Sequence, residues 1–551
     1  MAAEPVVIVG GGPVGLAAAL ELARFGVRSV VVEQRDTTSW HPKTRNLNTR
    51  TMEIARGWGR AVYERLRGID SADAWKSPIR FLRSVVGEEV GRIESRGFVG
   101  PGPDVSPALP VMSSQDLMER IYFDAACASG LVELRFGQRA LRLVRGAHAT
   151  DDGAAVEITD LASNRTSVLS GAALVAADGV DSMVREELGI PLTGDQGLHH
   201  FINCYFRADI ERHVGERRGV LLFIANAHAA GVLQPLDGRG RWLCQIAVPA
   251  ADWREGVFTK ERCQEWIRAA VGVRDVDAEV LSIGRWRMNA TVADTFVRER
   301  VVLVGDAAHQ FPPTGGLGVN TGIQGMHNAM WKLAFVIAGK AGSALLETYT
   351  TERHPVSRWT VEQSLQNHWH VQQIAMAALA GQQDSMNAAD AVTAARRYGN
   401  HLGVEFGCVY DSPAVVLDGT ARQEVPDPYS DYVPSGRPGC RAPHAWLGRG
   451  TESLSTLDLF GPGFTLLTGS AGGAWRDGAR SAATDLDVPV ASYRIGDGGL
   501  EDRDDVFFAR YAIESAGAVL VRPDGYVAWR TPGAGDPAAL RAALAQILGR
   551  V

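Results

Sequence analysis

The sequence predicts an α/β fold into which an antiparallel sheet is inserted. Three observations indicate this architecture. Short apolar runs at residues 6–9, 172–177 and 301–304 each end beside glycine, as buried parallel strands do where they meet a ligand. Residues 198–298 instead alternate between polar and apolar side chains, which is typical of half-buried antiparallel strands. Residues 445–551 contain further strand patterns and a final helix, so a small α/β module is expected there.

The composition limits the class of protein. The chain has 551 residues, of which 46% are hydrophobic and 22% charged, as in an ordinary globular enzyme. A formal net charge of −7 argues against nucleic acid as a partner, and no uncharged apolar run is long enough to span a membrane. Six cysteines stand far apart without a CxxC pair, so we expect no disulfide framework, no metal site and a reducing, cytoplasmic location.

The first strand leads into the sequence GGGPVG and an alanine-rich helix at residues 16–25. Gly10 permits a tight turn, Gly12 lets a pyrophosphate approach the backbone, and Gly15 lets the helix pack closely on the strand. The next apolar run ends in Glu33, at the distance expected of a carboxylate that binds ribose hydroxyls. These features together predict a Rossmann-like, dinucleotide-binding domain.

Two later strands also end at acidic residues. One leads into Asp178-Gly179, with Arg185 a few residues downstream. The other ends in Gly305-Asp306 and is followed by a loop rich in proline and glycine, whose stiff, thin backbone can approach a flat polar ligand. Because ligands bind at the carboxyl ends of strands in such sheets, we predict a cofactor site here.

The predicted organisation beyond this loop is helical, and a second domain follows. Asn320 and Thr321 are expected to cap the next helix, whose free N–H groups stabilise negative charge. Tyr349 to Pro355 is read as a break between two further helices. The predicted domains are the first part of the nucleotide-binding domain at residues 1–190, the inserted sheet at residues 191–298, the second part with helices at residues 299–410, and a linker with the C-terminal module at residues 411–551.

The ordered motifs resemble those of class A, single-component FAD-dependent aromatic hydroxylases, the 4-hydroxybenzoate and phenol hydroxylase group. Within this group the chain most resembles actinomycete flavoprotein monooxygenases of polyketide and indolocarbazole pathways. The C-terminal module is similar to the thioredoxin-like domain of the larger members, but it lacks CxxC, so redox chemistry is not expected there. The motifs that carry the resemblance are Gly10-x-Gly12-x-x-Gly15 with Glu33, Asp178-Gly179-x-x-Ser182-x-x-Arg185, and Gly305-Asp306-Ala307-Ala308-His309 running to Gly318-Val319-Asn320.

The resemblance implies FAD as cofactor, NAD(P)H as reductant and O2 as oxidant, with oxygen activated at the flavin C4a. It places Glu33 on the adenosine ribose, Arg45 and Gln115 near the pyrophosphate and ribityl chain, and Asp306 on a ribityl hydroxyl. Arg45 and Pro313 would lie nearest the flavin ring, although a solvated basic turn is the alternative for Arg45. The implied cofactor-binding residues are Gly10, Gly12, Pro13, Val14, Gly15, Glu33, Gln34, Lys43, Arg45, Gln115, Asp178, Gly179, Arg185, Gly305, Asp306, Pro313, Gly316, Gly318, Val319 and Asn320.

Two residues depart from the family pattern. Glu299 stands where members usually carry glycine, and Val14 stands where a small polar residue is common. Neither departure contradicts FAD binding, but each one bears on the backbone geometry at its own position.

The inserted sheet is expected to bind a small aromatic substrate, phenolic or of polyketide type. Alternation predicts that only one face of the sheet reaches the cleft, so half of the candidates should be core. His199, His200 and His228 are conceivable bases, and none is assigned. Alternatives are Baeyer–Villiger or other oxidation on the same scaffold, or a non-catalytic flavoprotein that sequesters an intermediate, as a monomer or homodimer. The candidate pocket residues are Phe206, Phe223, Leu233, Gln234, Trp242 and Trp286.

Overall fold

The computed structural model describes residues 4–144, 153–380 and 385–550. Its first part contains the elements of the nucleotide-binding domain and several additional strands. They are β1 (Val6–Val9), α1 (Pro13–Arg24), β2 (Ser29–Glu33), β3 (Asn46–Leu47), α2 (Thr49–Gly57), α3 (Arg60–Gly68), β4 (Ile79–Leu82), β5 (Glu89–Ile93), α4 (Arg96–Val99), β6 (Val111–Met112), α5 (Gln115–Ala128), β7 (Val132–Phe136), β8 (Gln138–Val144), β9 (Ala154–Asp160), β10 (Thr166–Gly171), β11 (Ala173–Ala176) and α6 (Met183–Glu187).

The middle part of the chain is mainly strands. It comprises β12 (Leu192–Arg207), α7 (Glu211–Val214), β13 (Leu221–Ala225), β14 (Ala230–Pro235), β15 (Arg241–Val248), α8 (Lys260–Val271), β16 (Glu279–Ala293), β17 (Val297–Arg298), β18 (Val301–Leu303) and β19 (His309–Gln310).

The remaining elements are four helices followed by a mixed module. They are α9 (Gly318–Ile337), α10 (Ala344–Ala380), α11 (Ser385–Ala394), α12 (Leu402–Phe406), β20 (Trp446–Arg449), β21 (Glu452–Ser455), β22 (Phe464–Thr468), α13 (Gly473–Asp485), β23 (Val490–Arg494), β24 (Glu501–Asp502), α14 (Phe507–Tyr511), β25 (Ala518–Val521), β26 (Val527–Thr531) and α15 (Ala538–Ile547).

A six-stranded sheet forms the centre of the first domain, in the order β17-β18-β11-β1-β2-β7. All its pairs are parallel except β17 with β18. Strands β1, β2, β11 and β18 are fully buried, which explains why they are continuous apolar runs. Because these strands are parallel and adjacent, Gly10, Glu33, Asp178 and Gly305 meet at one edge of the sheet.

The second sheet has eight strands in the order β19-β16-β12-β15-β14-β13-β4-β5. Its pairs are antiparallel except β13 with β4, which is parallel. The α/β class with an inserted antiparallel sheet is therefore confirmed, although β4, β5 and β19 join it from outside residues 191–298. The insertion also contains α8, which the sequence analysis missed despite its Thr259 cap and the left-handed Gly272 at its end.

Two expectations about the helices are wrong. Helix α9 begins at Gly318 with Leu317 as its N-cap, because the Asn320 side chain is used in tertiary hydrogen bonds instead of a cap. Helix α10 runs without a break through Pro355. Proline removes one backbone hydrogen bond, but the buried Glu352 and Arg353 fix this turn through their own side-chain contacts.

The C-terminal module has a four-stranded sheet in the order β23-β22-β25-β26. Strands β22 and β23 are parallel and connected by α13, β25 and β26 form an antiparallel pair, and α15 follows, which is the thioredoxin-like arrangement. The module is fastened to the first domain by buried ion pairs, including Arg441 with Glu53 and Arg522 with Glu352.

The division into domains by residue number stays a prediction. Within the described ranges, none of the helices combines the length and apolar character needed to cross a bilayer.

The turn between β17 and β18 holds Glu299, one of the two residues that depart from the resembled pattern, in an unfavourable backbone conformation. Glu299 has φ of 57°, in the left-handed region that side chains with a Cβ disfavour. We expect Glu299→Gly to raise the free energy of unfolding by about 0.5–1 kcal/mol, because the backbone strain is removed. Urea unfolding measures this change. Glu299→Ala is the matched control and should leave the stability nearly unchanged, since alanine keeps the strain; an equal gain for alanine would contradict the explanation.

Candidate functional site

The glycine turn after β1 is packed against its neighbours at two positions and open at the third. Gly10 has φ of 103°, and a Cβ there would lie 2.2 Å from the carbonyl oxygen of Ala177. A Cβ on Gly15 would lie 1.9 Å from the carbonyl oxygen of Gly10. Around Gly12 a Cβ would meet nothing within 4 Å. The turn therefore leaves free space at the start of α1, where Pro13 is the first helical residue and no side chain caps the helix.

The open position at Gly12 leads to a prediction about ligand affinity. Gly12→Ala should fold normally, because its methyl group meets no protein atom, but it should weaken FAD binding about tenfold by occupying space needed by the pyrophosphate. Fluorescence titration of the apo-protein with FAD measures the affinity. Gly68→Ala is the control, since Gly68 also has open space and lies at the end of α3, away from this turn. Equal affinity for both variants would place the pyrophosphate elsewhere.

Glu33 is held as a carboxylate at the end of β2. Its oxygens accept hydrogen bonds from the backbone N–H of Gly11 at 2.7 Å and from the backbone and side chain of Arg35 at 2.9 and 3.0 Å. Burial opposes ionisation, but the hydrogen bonds from Arg35 and Gly11 lower the Glu33 pKa. Arg35, which the sequence analysis did not single out, also contacts Glu119 at 3.4 Å, and Glu119 accepts a hydrogen bond from Gln115 at 2.6 Å.

The middle motif forms a compact turn at the end of β11. Asp178 accepts hydrogen bonds from Ser182 Oγ at 2.6 Å and from the N–H of Val184 at 3.1 Å, and Ser182 caps α6 by accepting from the N–H of Arg185. Burial raises the Asp178 pKa despite these bonds. These hydrogen bonds fix the backbone turn that follows β11, and Gly179 in this turn has a left-handed conformation with φ of 85°. Gln34, directly after β2, is exposed.

Asn320 fixes the loop before α9 to the segment that follows Arg45. Its side-chain oxygen accepts from the N–H of Asn48 at 2.9 Å and from Thr51 Oγ1 at 2.8 Å. Its amide donates to the carbonyls of Gly316 at 2.8 Å and Asn46 at 3.0 Å. The start of α9 has no side-chain cap and no acidic residue in its first turn, so the N–H groups there are available to an anionic or carbonyl ligand.

Val14, the second residue of α1, packs against α9 and against the turn after β18. A Cβ on Gly322 would lie 2.9 Å from Val14 Cγ2, and one on Gly305 would lie 3.2 Å from the same atom. The valine that departs from the resembled pattern therefore fits because glycines face it from the turn after β18 and from α9.

Arg45 is buried and faces the second sheet. It donates to the carbonyl of Val220 at 2.9 Å, to Gln234 at 3.4 Å and to the carbonyl of Pro235, and its Nε has no partner. Burial lowers the Arg45 pKa to about 9, against a small opposing effect of Tyr398. A solvated basic turn is therefore wrong for Arg45, whereas Lys43 is exposed at the cavity.

A cavity of about 440 Å³ lies between the loop before α9, the second sheet and α10. Three of the predicted substrate residues, Phe223, Gln234 and Trp286, line it. Predicted cofactor residues also line the cavity. They come from the segment before β3, from the turn after β18, and from the loop before α9 with the first turn of that helix. These are Lys43, Arg45, Asp306, Pro313, Gly316, Gly318 and Val319.

The other three predicted substrate residues do not line the cavity. Phe206, Leu233 and Trp242 are fully buried on the opposite face of the sheet, in the core that includes Cys263 and Ile267 of α8. Side chains alternate between the faces of a strand, so Leu233 points away where its neighbour Gln234 points in.

The sequence analysis missed the contribution of α10 and of several polar strand residues. His199 is half-buried beside His368 of α10, with ring centroids 4.7 Å apart, whereas His200 packs on Trp253 and His228 is exposed. Periodicity alone could not show which face of a 37-residue helix meets the cavity. The missed lining residues include Phe201, Gln245, Asn289, Gln310, His368, Gln372 and Tyr398.

The site fits the cofactor that the motifs indicate. Two helix N-termini without side-chain caps, those of α1 and α9, lie at the carboxyl edge of the parallel sheet, and free space surrounds Gly12. Asn46 lines the cavity, and among the described residues its side-chain oxygen and nitrogen have no hydrogen-bond partner. Glu33, Asp306 and the N–H groups of α9 offer acceptors and donors for sugar hydroxyls and a polar ring edge.

Comparison with known proteins agrees with this geometry. The family model for the FAD binding domain matches residues 3–364, and that for the aromatic-ring hydroxylase C-terminal domain matches residues 435–551. The chain is 37% identical to tetracenomycin A2 monooxygenase-dioxygenase of Streptomyces glaucescens, over 99% of this chain and 97% of that protein. It is 36% identical to aklavinone 12-hydroxylase RdmE of Streptomyces purpurascens, over 99% of each chain.

Solved structures give the same result. The flavin-dependent monooxygenase PieE, crystallised with FAD and substrate, superposes with a TM-score of 0.93 at 34% identity, covering 100% of this chain and 99% of that one. RebC with bound 7-carboxy-K252c superposes with a TM-score of 0.85 at 32% identity, with the same coverage. The two family models together with these relatives and structures show that the chain belongs to the FAD-dependent aromatic-ring hydroxylases.

Proposed function

We propose that this protein hydroxylates an aromatic small molecule, phenolic or of polyketide type, with NAD(P)H as reductant and O2 as oxidant, in secondary metabolism. The observation that carries this proposal is a cavity that reaches both the Pro313 loop and the aromatic residues of the second sheet. A substrate between them is held next to the predicted position of the flavin ring. The relatives named polyketide hydroxylase support a polyketide-type substrate, and those named for nitrocatechol and dichlorophenol support a phenolic one.

When bound, FAD reduced by NAD(P)H reacts with O2 and supplies one oxygen atom to an electron-rich ring. The chain's own residues bind the substrate, orient it and exclude water. Phe81 stacks on Phe223 with centroids 5.1 Å apart, and Phe201 stacks on Trp286 at 4.7 Å, so two flat apolar surfaces line the cavity. Amide side chains such as Gln234 offer hydrogen bonds to polar substituents at fixed places between them.

We further propose that the enzyme is cytoplasmic and acts as a monomer or a homodimer. All six cysteines are free, which suits a reducing compartment.

Substrate-stimulated NAD(P)H oxidation tests the proposed function. The purified protein should be yellow, and hydroxylated anthraquinones, naphthols or chlorophenols that stimulate oxidation should gain one oxygen atom derived from isotopically labelled O2. Oxygen inserted into a carbon–carbon bond, which gives a hydrolysable ester, would establish Baeyer–Villiger oxidation instead. FAD binding without stimulation by any compound would favour the non-catalytic alternative, and a colourless protein without FAD would refute the proposal.

A further inference from the structure

Two buried amide residues, Asn289 and Gln310, form a chain of hydrogen bonds between the second sheet and the carboxyl edge of the parallel sheet. Asn289 lies on β16 and Gln310 on β19, each is 5% exposed, and both line the cavity. Nδ2 of Asn289 donates to Oε1 of Gln310 at 2.6 Å. Buried amide groups need hydrogen-bond partners for their other atoms as well, so the remaining partners show what this pair holds in place.

At one end of the chain, the amide group of Gln310 connects two turns of the parallel sheet. Its Nε2 donates to the carbonyl of Val180 at 2.9 Å and to the carbonyl of Asp306 at 3.3 Å. Val180 lies in the turn that follows β11, and Asp306 lies in the turn that follows β18. Arg185 also approaches the Val180 carbonyl, but at 3.5 Å. One side-chain amide therefore holds the two turns at a set distance from each other.

At the other end, Asn289 holds an irregular stretch of β12. Its Oδ1 accepts from the backbone N–H of Gly197 at 2.8 Å. The register of β12 and β16 shifts between Asp195 and His199, where three residues of β12 lie opposite Asn289 alone. The irregular stretch leaves the N–H of Gly197 outside the regular strand pairing, and the Asn289 side chain supplies its acceptor.

The partners at the two ends fix the orientation of both amide groups. Two carbonyls can only accept, so Gln310 presents its NH2 group to them and its oxygen to Asn289. The N–H of Gly197 can only donate, so Asn289 presents its oxygen to it and its NH2 group to Gln310. A reversed amide at either residue would place like atoms against each other. Asn289 is thus the residue that keeps Gln310 turned towards the two carbonyls.

The position of the Asp306 carboxylate depends on this arrangement, because the backbone of Asp306 is one of the two that Gln310 holds. Hydrogen bonds weaken steeply when their distance or angle departs from the optimum, so a displaced turn lowers the contribution of the carboxylate to ligand binding. The pairing of β19 with β16, in which Gln310 lies opposite Thr291, uses main-chain atoms. Removal of the Gln310 amide should therefore loosen the turn without disrupting the sheet.

We propose that Gln310, oriented by Asn289, positions the Asp306 carboxylate for a hydroxyl group of the FAD ribityl chain. This inference rests on the proposed function, because it takes FAD as the ligand of Asp306, and it deepens that function by adding two positioning residues to the cofactor site. Neither amide contacts a reacting atom, and neither transfers a proton.

The test measures FAD affinity against pH by equilibrium dialysis of the FAD-loaded protein. Gln310→Met keeps the length of the side chain but removes the amide, so the affinity at about pH 8 should fall about tenfold. Burial raises the Asp306 pKa to about 6, against an opposing effect of Lys43, and wild-type affinity should therefore fall as the pH decreases through about 6. Gln310→Met should flatten this profile, because a displaced carboxylate contributes little in either protonation state.

A double-mutant cycle with Asp306→Asn shows whether Gln310 acts through Asp306. In the Asp306→Asn protein, Gln310→Met should lower FAD affinity by less than about twofold, because the carboxylate that it positions is already absent. Asn289→Leu removes the orienting partner but keeps the Gln310 amide, so its loss should be smaller, about threefold. An equal loss for Gln310→Met in both backgrounds or at every pH would overturn the proposal, and so would an unchanged affinity.

Gln264→Met is the matched control for the loss of a side-chain hydrogen bond. Gln264 of α8 donates to the carbonyl of Ala278 at 2.7 Å, in the core on the face of the second sheet opposite the cavity. This variant should lose stability in thermal unfolding to a similar degree as Gln310→Met, but keep the wild-type FAD affinity and pH profile. A loss of FAD affinity as large as that of Gln310→Met would count against a positioning role.

The proposed function is tested separately on the wild-type protein. NAD(P)H oxidation is measured with hydroxylated anthraquinones, naphthols and chlorophenols, none of which is needed for the FAD measurements. Absence of stimulation together with a flattened pH profile in Gln310→Met would refute hydroxylation and still support the positioning role. Stimulated oxidation together with an unaltered profile in Gln310→Met would refute only the positioning role.

Discussion

Replacing Asp306 with alanine is expected to lower the affinity for FAD by about a hundredfold while the apo-protein keeps its fold. Asp306 lies in the short turn after β18, lines the cavity and is accessible from it. Among the residues that the structure describes, none donates a hydrogen bond to its carboxylate, so the carboxylate is available to a ligand. Hydrogen bonds to a charged group contribute about 1.5–3 kcal/mol, which corresponds to roughly ten- to a hundredfold in affinity. Unchanged affinity in a fluorescence titration would show that Asp306 lies outside the FAD site.

The same residue gives FAD binding a pH dependence of known sign. Although the carboxylate is accessible from the cavity, the protein surrounding it raises the Asp306 pKa to about 6, against an opposing effect of Lys43. Hydroxyl donors on the ligand favour the ionised form, so FAD affinity should fall as the pH decreases through about 6, and should level off above it. Asp306→Asn cannot titrate and is the matched control: it should remove this dependence. A wild-type affinity that is constant from about pH 5 to about pH 8 would contradict the assignment.

The sequence predicted those parts of the site whose residues interact within one short segment or across adjacent strands. Gly10 and Gly15 were identified by their spacing, and the backbone contacts that exclude a Cβ at both positions lie within the turn or on the adjacent strand. Glu33 and Asp178 were identified because each follows a buried strand, and parallel strands bring their carboxyl ends together. A short-range pattern was enough for these residues.

The parts that were missed depend on contacts between distant segments. The substrate candidates were split between two faces because the composition of a strand does not identify its buried side; Gln234, a polar residue in an apolar strand, was the available signal for the cavity face. His368 could not be found because it reaches the cavity only through the packing of α10 on the loop before α9. The continuity of α10 through Pro355 likewise depends on tertiary contacts that override the local preference.

Replacing Glu352 with glutamine is expected to destabilise the whole protein by about 3–5 kcal/mol, because it breaks a buried ion cluster that joins the two domains. The Glu352 carboxylate accepts hydrogen bonds from Arg522 at 2.6 and 2.9 Å and from Lys332 at 2.7 Å, and all three side chains are fully buried. Ser412 and Asn328 donate to it as well, each at 2.6 Å. Burial opposes ionisation, but Arg522 and Lys332 hold the Glu352 pKa well below its usual range.

The size of this effect follows from what the substitution leaves behind. With a neutral amide at residue 352, Asp524 is the remaining carboxylate bonded to Arg522, and Lys332 becomes a buried cation without an anionic partner in direct contact. Thermal and urea unfolding of the FAD-loaded protein should show the loss, whereas Glu362→Gln, an exposed site on the same helix, should change stability by less than about 0.5 kcal/mol. Combining Glu352→Gln with Lys332→Met should recover part of the loss, because the uncompensated cation is removed. A double variant as unstable as the sum of the two single variants would show that the cluster acts through packing and not through charge.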